Sequence, residues 1–260
     1  MSGRIADESS GTGSLGDDGD MDERVTPARP HHRLTEDGRR MREVLSYSRR
    51  GNRFTPNQAA AWAAHHEKWV IPDAAVDEPG FSLAQWFGRE APLIVEIGSG
   101  IGEATAALAA ARPDHDVLAL EVWRPGIADT LWQLHDAGAE NVRLCSVDAV
   151  WVLGHLVEEE RLAELWTFFP DPWPKTKHHK RRLVDPDFAH LAASRLAPGA
   201  PWRLATDWAH YADQMQTVLG AEPMLTGGRV PRWAERPLTR FERKGREAGR
   251  DIVDLVYTKQ

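Results

Sequence analysis

The chain has 260 residues, 42% of them apolar, which is enough to bury one full domain core with appendages. Its single cysteine, Cys145, excludes an internal disulfide framework and a cysteine-rich zinc site, and it suits a reducing compartment. No apolar run approaches the roughly 18 residues of a membrane-spanning helix, and the N-terminus lacks the apolar core of a signal peptide. We therefore expect a cytoplasmic protein without a membrane partner.

The formal net charge of −7 argues against a polyanionic partner, but the charge is unevenly distributed. Residues 1–30 are rich in Gly, Ser and acidic side chains and are predicted to form a disordered acidic tail, followed by a basic segment at 31–54. Three strongly basic stretches occur at 39–53, 175–182 and 229–250. Because two of them flank predicted site loops, together they favour a nucleic acid as partner.

The main domain, residues 55–260, is predicted to begin with a helix from Pro56 to Trp69. Thr55 is a suitable N-cap, proline fits the first helical position, and Gln58 completes a capping box. Apolar strands then alternate with helices of ordinary length. Strands are predicted at 93–97, up to 121, at 142–145, at 165–169 and up to 207, with a helix near 186–196.

This alternation predicts an α/β fold, with a mostly parallel sheet covered by helices on both faces. The C-terminal part has a different pattern. Two extended runs, one around Phe241 and one from Ile252 to Tyr257, are joined by a basic turn that contains glycine. They predict an antiparallel hairpin at the edge of the sheet.

Ligands of open parallel sheets bind beyond the carboxyl ends of the strands. Residues that follow predicted strands should therefore converge on one rim. These residues are Gly98, Glu121, Asp148, Asp171 and Asp207.

The segment "GSGIGE" follows the first predicted strand of the sheet. Gly98, Gly100 and Gly102 let the backbone approach a ligand closely. A dinucleotide-binding loop requires a small residue where Glu103 stands, so a nicotinamide cofactor is disfavoured. With Glu96 two residues upstream, the pattern resembles the S-adenosylmethionine loop of class I methyltransferases, whose fold is Rossmann-like.

Three carboxylates fit such a ligand. Glu121, at the end of the second strand, can accept hydrogen bonds from both ribose hydroxyls. Asp148, after the third strand, is placed to contact the adenine. Glu96 can face the cationic methionine end.

The stretch "FPDPWPKTKHHKRR" presents a carboxylate between two prolines. Pro170 and Pro172 restrict the backbone around Asp171, so we expect a stiff, preorganised loop. Trp173 can stack on a base, and the cations that follow can contact phosphates. Those cations are Lys175, Lys177, Lys180, Arg181 and Arg182. The adjacent histidines of this stretch have no further ligand at a recognisable spacing, so no metal site is predicted.

These motifs together resemble the bacterial tRNA (guanine-N(7)-)-methyltransferases of the TrmB type. The resemblance runs in order from about Tyr47 to Tyr257 and rests on "VEIGSGIGEAT", "EVWRPGI", "NVRLCSVDA", "FPDPWPKTKHHKRR", "ATDW" and "RPLTRFERKG". It implies that residues 55–260 form a methyltransferase domain. The implied reaction is methyl transfer from S-adenosylmethionine to ring nitrogen 7 of a guanine in the variable loop of tRNA.

The resemblance also assigns roles to single residues. Glu96, Glu121, Asp148 and Asp171 would contact the methyl donor, and Asp171 would also be catalytic. A second set would contact the substrate. It consists of Lys175, Asp207, Thr239, Arg240, Phe241 and Glu242. The family usually has lysine where this chain has Arg240, so a planar guanidinium replaces a compact ammonium group there.

Three alternatives remain at this stage. A small-molecule methyltransferase would share the donor site but would need an enclosed apolar pocket where this chain offers cations. An amino-methyltransferase would use an Asp-Pro-Pro-aromatic loop, which "PDPW" matches only in part. A non-catalytic RNA-binding module would use the glycine turn only structurally. The sequence specifies no oligomeric state.

Overall fold

The structure is a computed structural model that describes residues 45–47 and 51–260. The predicted acidic tail and most of the predicted basic N-terminal segment lie outside the described residues. The helices of the described part are α1 (Pro56–Trp69), α2 (Leu83–Phe87), α3 (Glu103–Ala110), α4 (Arg124–Ala137), α5 (Ala149–His155), α6 (Pro186–Arg195), α7 (Ala209–Ala221) and α8 (Arg240–Glu247). Short 3₁₀ turns occur at Ala75–Asp77 and Thr176–Arg181.

The strands form one seven-stranded sheet with the order β3-β2-β1-β4-β5-β7-β6. They are β1 (Leu93–Ile97), β2 (Asp116–Leu120), β3 (Val142–Cys145), β4 (Leu162–Phe168), β5 (Pro201–Thr206), β6 (Leu225–Val230) and β7 (Val253–Lys259). Strands β1 to β5 are parallel, and β7 is antiparallel to both β5 and β6. The predicted α/β fold with a parallel sheet is confirmed.

The sheet separates two hydrophobic clusters. Leu93 and Val95 of β1 belong to one cluster, whereas Ile94 between them belongs to the other. Successive side chains of a strand point to opposite faces, so a strand that is apolar throughout needs cover on both sides. The chain reverses its order across the sheet between β1 and β4, and such a switch point opens a crevice at the carboxyl ends of the strands.

Helix α1 has the predicted bounds and the predicted cap. The Thr55 hydroxyl accepts a hydrogen bond from the backbone of Gln58 at 3.3 Å, and the Gln58 side chain accepts one from the backbone of Thr55 at 2.9 Å. At the other end of the helix, the indole of Trp69 donates to the Ala139 carbonyl that follows α4. The helix thereby packs on α4.

The predicted strand around Phe241 is wrong, because this residue lies on helix α8. The Thr239 side chain accepts from the backbone of Glu242 and begins the helix, and Arg246 pairs with Glu242 one turn later. Alternation of residue types resembled a strand, but Glu242 is fully buried among arginines of the preceding loop and of α8 itself.

An antiparallel pair does end the chain, as predicted, but its first strand is β6. The sequence analysis missed β6 because it contains Gly227 and Gly228, which are uncommon inside strands. A Cβ at Gly227 would lie only 2.0 Å from the Val256 carbonyl oxygen of β7. Glycine is needed there for close contact between the two strands.

Strand β4 begins at Leu162, three residues before the predicted start at Leu165. The additional part contains Glu164, a charged residue that obscured the apolar pattern. Its carboxylate forms an ion pair with Arg203 of the neighbouring strand β5. Within the described part of the chain, no helix is both long and apolar enough to cross a membrane.

Candidate active site

A cavity lies at the carboxyl ends of the parallel strands, between the loops that follow β1, β2, β3 and β4. Ser46, Tyr47 and the start of α8 complete its described lining. The cavity brings together most of the residues that the sequence analysis singled out. They are Gly98, Gly100, Glu121, Asp148, Asp171, Thr239 and Phe241.

The glycine loop requires its glycines for two different reasons. Gly98, Gly100 and Gly102 have φ angles of 79°, 62° and 79°, which residues with a Cβ rarely adopt. At Gly102 a Cβ would also lie 2.5 Å from the side chain of Thr130 on α4. The loop therefore combines left-handed backbone with direct packing against α4.

Gly126, which was not predicted as a site residue, brings α4 close to the loop. A Cβ on this residue would lie 2.4 Å from the carbonyl oxygen of Gly100. A glycine in the first turn of a helix costs helix stability, and that cost in "WRPGI" was the available signal. The absence of a side chain here lets the helix approach the cavity loop.

Glu121 connects the loop to the same helix. One carboxylate oxygen accepts from the backbone N–H of Gly100 and the other from that of Trp123, both at 2.8 Å. Trp123 is the N-cap residue of α4. The two backbone amides fix the carboxylate in the cavity wall.

Asp148 lines the cavity as the N-cap of α5. Its Oδ1 accepts from the backbone N–H groups of Val150 at 3.0 Å and Trp151 at 3.4 Å. This capping fixes the orientation of the carboxylate at the end of β3.

Glu96 lies outside the lining. It is buried in the sheet, and its carboxylate accepts a 2.5 Å hydrogen bond from the hydroxyl of Thr105 on α3. Burial raises its pKa to about 7, and the nearby charge of Glu121 acts in the same direction, while the Thr105 hydrogen bond opposes them. The residue links β1 to the helix that follows the glycine loop.

The Asp171 loop is held in a strained conformation. Phe169 and Trp173, which flank the Pro-Asp-Pro segment, have φ angles of 52° and 44°. Positive φ at non-glycine residues costs about 1–3 kcal/mol each and persists only where surrounding contacts enforce it. The backbone N–H of Phe169 donates to the Ala205 carbonyl of β5 at 2.7 Å.

The ring of Trp173, which was expected to stack on a base, is engaged by contacts within the protein. The guanidinium of Arg181 lies 3.5 Å from the ring centroid, and the indole N–H donates to the Ser46 carbonyl at 2.9 Å. Arg181 also donates to the Leu45 and Tyr47 carbonyls, both at 3.0 Å. The pair therefore holds segment 45–47, which forms part of the cavity wall.

The cations that follow Trp173 in the sequence differ in burial according to residue type. The lysines are exposed on and beside the 3₁₀ turn, whereas Arg181 is half-buried and Arg182 is buried. The exposed set consists of Lys175, Lys177 and Lys180. Only the lysines are placed for phosphate contacts, and none of the three lines the cavity.

Helix α8 places Thr239 and Phe241 at the cavity, and Phe241 is 44% exposed. The neighbouring Arg240 is exposed, but its backbone N–H donates to Glu103 at 2.5 Å, and Arg243 pairs with the same carboxylate at 2.9 Å. Glu103 is the residue that distinguishes this glycine loop from the dinucleotide pattern. In the folded chain it attaches α8 to the start of α3.

Like Lys175 and Arg240, the predicted substrate residues Glu242 and Asp207 lie outside the cavity lining. Glu242 bonds to Arg232, Arg236 and Arg246 at 2.6–2.7 Å. Burial disfavours its ionised form, but the arginine hydrogen bonds and charges outweigh burial and lower its pKa. Asp207 accepts from Arg250 at 2.8 Å. Both carboxylates hold the segments around α8 in place.

Comparison with known proteins identifies the family. A family model described as "Putative methyltransferase" matches residues 90–255. A tRNA (guanine-N(7)-)-methyltransferase of Nocardioides sp. is 72% identical over 236 residues, which cover 91% of this chain and 95% of the relative. One of Cutibacterium acnes is 48% identical over 232 residues, 84% of each chain. The chain belongs to the tRNA (guanine-N(7)-)-methyltransferase family.

The family resemblance expected from the motifs is thereby confirmed, and with it the class of enzyme. A solved structure of the 16S rRNA methyltransferase KamB aligns with a TM-score of 0.51 at 16% identity, covering 70% of this chain and 95% of that one. This similarity supports the class I methyltransferase fold. Among the described residues, no group of three or more His, Cys, Asp or Glu is placed to hold a metal ion.

Replacing Gly126 by alanine should displace the glycine loop, because the new methyl group would overlap the Gly100 carbonyl. We expect the affinity for S-adenosylmethionine to fall by ~10-fold or more, since overpacking at a well-packed contact costs typically 1–3 kcal/mol. Isothermal titration calorimetry measures this. Gly154→Ala in α5, where nothing lies within 4 Å of the added Cβ, is the control and should bind normally.

Glu96→Gln should change how stability depends on pH. The folded pKa of about 7 lies above the ordinary value of 4.5, so the stabilising contribution is complete below 4.5 and is lost as the pH rises through 7. The loss corresponds to roughly 3 kcal/mol, which the glutamine variant avoids. Urea unfolding at about pH 5 and about pH 8 measures the free energy of unfolding. The value for the variant, relative to that of the wild type, should be greater at about pH 8 than at about pH 5. Glu140→Gln, at an exposed ion pair, is the control. Parallel pH profiles for Glu96→Gln and wild type would contradict the assignment.

Proposed function

We propose that this protein transfers the methyl group of S-adenosylmethionine to ring nitrogen 7 of a guanine in tRNA. Its relatives carry that activity in their names. The observation that carries the proposal is the convergence of the glycine loop, Glu121 and Asp148 with the strained Asp171 loop around one cavity. The donor site and the proposed transfer site are thus adjacent.

The described lining fits an adenosyl sulfonium ligand. Leu120, Val147 and Leu183 offer apolar surface for the adenine, and the strand-end carboxylates offer acceptors for hydroxyl and amino groups. Carboxylates beside the glycine loop would repel a pyrophosphate but attract a sulfonium cation. The lining therefore favours S-adenosylmethionine over a dinucleotide.

We assign the donor contacts as follows. Glu121, fixed by two backbone amides, accepts from the ribose hydroxyls, and Asp148 contacts the adenine. Gly98 and Gly100 form the close backbone wall, and Gly102 supports it by packing against Thr130 of α4. Glu96 lies behind that wall and holds α3 through the hydroxyl of Thr105.

The guanine nitrogen carries a lone pair and no proton at neutral pH, so the reaction needs no general base. Attack on the methyl carbon forms the nitrogen–carbon bond as the carbon–sulfur bond breaks, and the electron pair of that bond stays on sulfur. In-line alignment can supply roughly 7–11 kcal/mol. Positive charge passes to the base, and Asp171 stabilises it or accepts from the exocyclic groups of guanine.

Substrate contacts are assigned to two regions. Thr239 and Phe241 lie at the cavity and can contact the guanine, while exposed Lys175 and Arg240 can contact the tRNA backbone. Because Asp207 and Glu242 are engaged with arginines, their proposed contribution is to hold α8 in place. The reacting edge of guanine lies in the deep major groove of regular A-form RNA, so the nucleotide is expected in a loop or extruded.

The function is tested by nucleoside analysis of tRNA after incubation with enzyme and labelled donor, which should yield N7-methylguanosine. Asp171→Asn should lower turnover by about 10²–10³-fold, because it removes charge at the transfer site. Asp187→Asn, exposed at the start of α6, is the control and should be fully active. Near-normal turnover by Asp171→Asn would remove this residue from the proposed role.

Replacing Lys175, Lys177 and Lys180 together by glutamine should weaken tRNA binding. Each lost phosphate contact should reduce the slope of log affinity against log salt by about one unit. Filter binding at several salt concentrations measures this, with donor binding expected to persist. Lys68→Gln on α1, where the lysine pairs with Glu140, is the control. An unchanged slope in the triple variant would exclude these phosphate contacts.

A further inference from the structure

Arg182 is a buried cation beside the Asp171 loop. Its exposure is 1%, whereas the lysines of the same basic stretch face solvent. The 3₁₀ turn Thr176–Arg181 ends directly before it, and the chain then enters the core at Leu183. A phosphate contact, expected from the sequence, does not fit this burial.

The guanidinium bridges the loop to helix α7. Its Nε donates to the Pro172 carbonyl at 2.8 Å. Its Nη1 lies 2.9 Å from Nδ1 of His210 and donates to the Gln214 side chain at 2.6 Å. The cation also lies 4.8 Å from the ring centroid of Tyr211. The bond to His210 requires a neutral ring with its proton on the other nitrogen.

These partners are all neutral. Among the described residues, no carboxylate pairs with Arg182, and its Nη2 has no hydrogen-bond partner. Burial lowers the pKa of this guanidinium. A buried charge without a counter-ion is a poor source of stability. The contribution of Arg182 is therefore expected to lie mainly in the geometry that its hydrogen bonds impose, and less in the net free energy of folding.

The bonded carbonyl belongs to the peptide group between Pro172 and Trp173. Trp173 has the strained φ of 44°, so the orientation of this peptide group must be enforced from outside. Arg182 supplies that contact on the C-terminal side of Asp171, as the Ala205 carbonyl does for Phe169 on the N-terminal side. Asp171 is the residue directly before the bonded proline.

We propose that Arg182 is a positioning residue for methyl transfer, which holds the Pro172 carbonyl against α7 and thereby fixes the Asp171 carboxylate at the reacting base. The proposal rests on the function proposed above. Arg182 touches neither donor nor guanine and acts only through the loop. Lysine cannot reproduce this role fully, because one ammonium lacks the planar fork that reaches the carbonyl and both α7 side chains together.

The test compares Arg182→Met and Arg182→Lys with wild type in single-turnover methylation of tRNA. Displacement of a reacting group by about 1 Å can cost about 100-fold, so we expect a 10- to 100-fold slower turnover for methionine and a smaller loss for lysine. Affinities for donor and tRNA should stay within about threefold, because neither ligand contacts Arg182. Arg182→Met removes the buried charge but leaves the Pro172 carbonyl and the Gln214 side-chain oxygen without their donor, so its thermal stability should fall moderately.

The matched control is Arg195→Met. Arg195 also donates its Nε to a backbone carbonyl, that of Leu153 at 2.8 Å, but this carbonyl belongs to helix α5 and not to the Asp171 loop. Its turnover should equal that of wild type. If Arg182→Met is not recovered folded, Arg182→Lys decides, and full turnover in that variant overturns the proposal.

A double-mutant cycle separates positioning from a general structural role. If Arg182 acts through Asp171, adding Arg182→Met to Asp171→Asn should slow turnover by less than about twofold. Three outcomes would each overturn the proposal. They are a double variant whose loss of turnover is the product of the two single losses, normal turnover in Arg182→Met, and a smaller slope of log tRNA affinity against log salt in Arg182→Met. The wild type is measured first. An enzyme that does not methylate tRNA refutes the proposed function, whereas an active wild type with an equally active Arg182→Met refutes only the positioning role.

Discussion

The close contact between the glycine loop and the start of α4 is the constraint on which the site depends. The carbonyl of Gly100 lies where a side chain at Gly126 would begin, and Glu121 joins the backbone amides of loop and helix. This arrangement turns the ends of β1 and β2 into a single rigid wall. The cavity exists because two glycines on different elements leave room for each other.

The loop after β4 supplies the opposite wall, and its cations are divided between two tasks. Arginines, with planar guanidinium groups, hold backbone carbonyls on either side of the loop: Arg181 holds segment 45–47 and Arg182 holds Pro172. Lysines remain in solvent, where a compact hydrated charge suits phosphate contacts. In the proposed function, one short basic stretch would therefore both preorganise Asp171 and offer a surface to a polyanion.

Helix α8 shows how buried charge arranges a site without entering it. Glu242 forms ion pairs with arginines of the preceding loop and of its own helix, and Asp254 of β7 pairs with Arg236 at 2.7 Å. Removing one member would leave an uncompensated buried charge, so the network fixes the helix firmly. Thr239 and Phe241, at the start of the same helix, are consequently held at the cavity.

The sequence by itself determined the parallel sheet, the glycine loop and the rim of carboxylates, because period, turn chemistry and strand ends are local properties. It could not distinguish a strand from a helix around Phe241, nor a phosphate-binding arginine from a buried one such as Arg182. Those outcomes depend on partners distant in the chain, among them His210, Gln214 and Asp254. Local pattern states which chemistry a residue can perform, whereas burial and long-range contacts, present only in the folded chain, decide which of these tasks it performs.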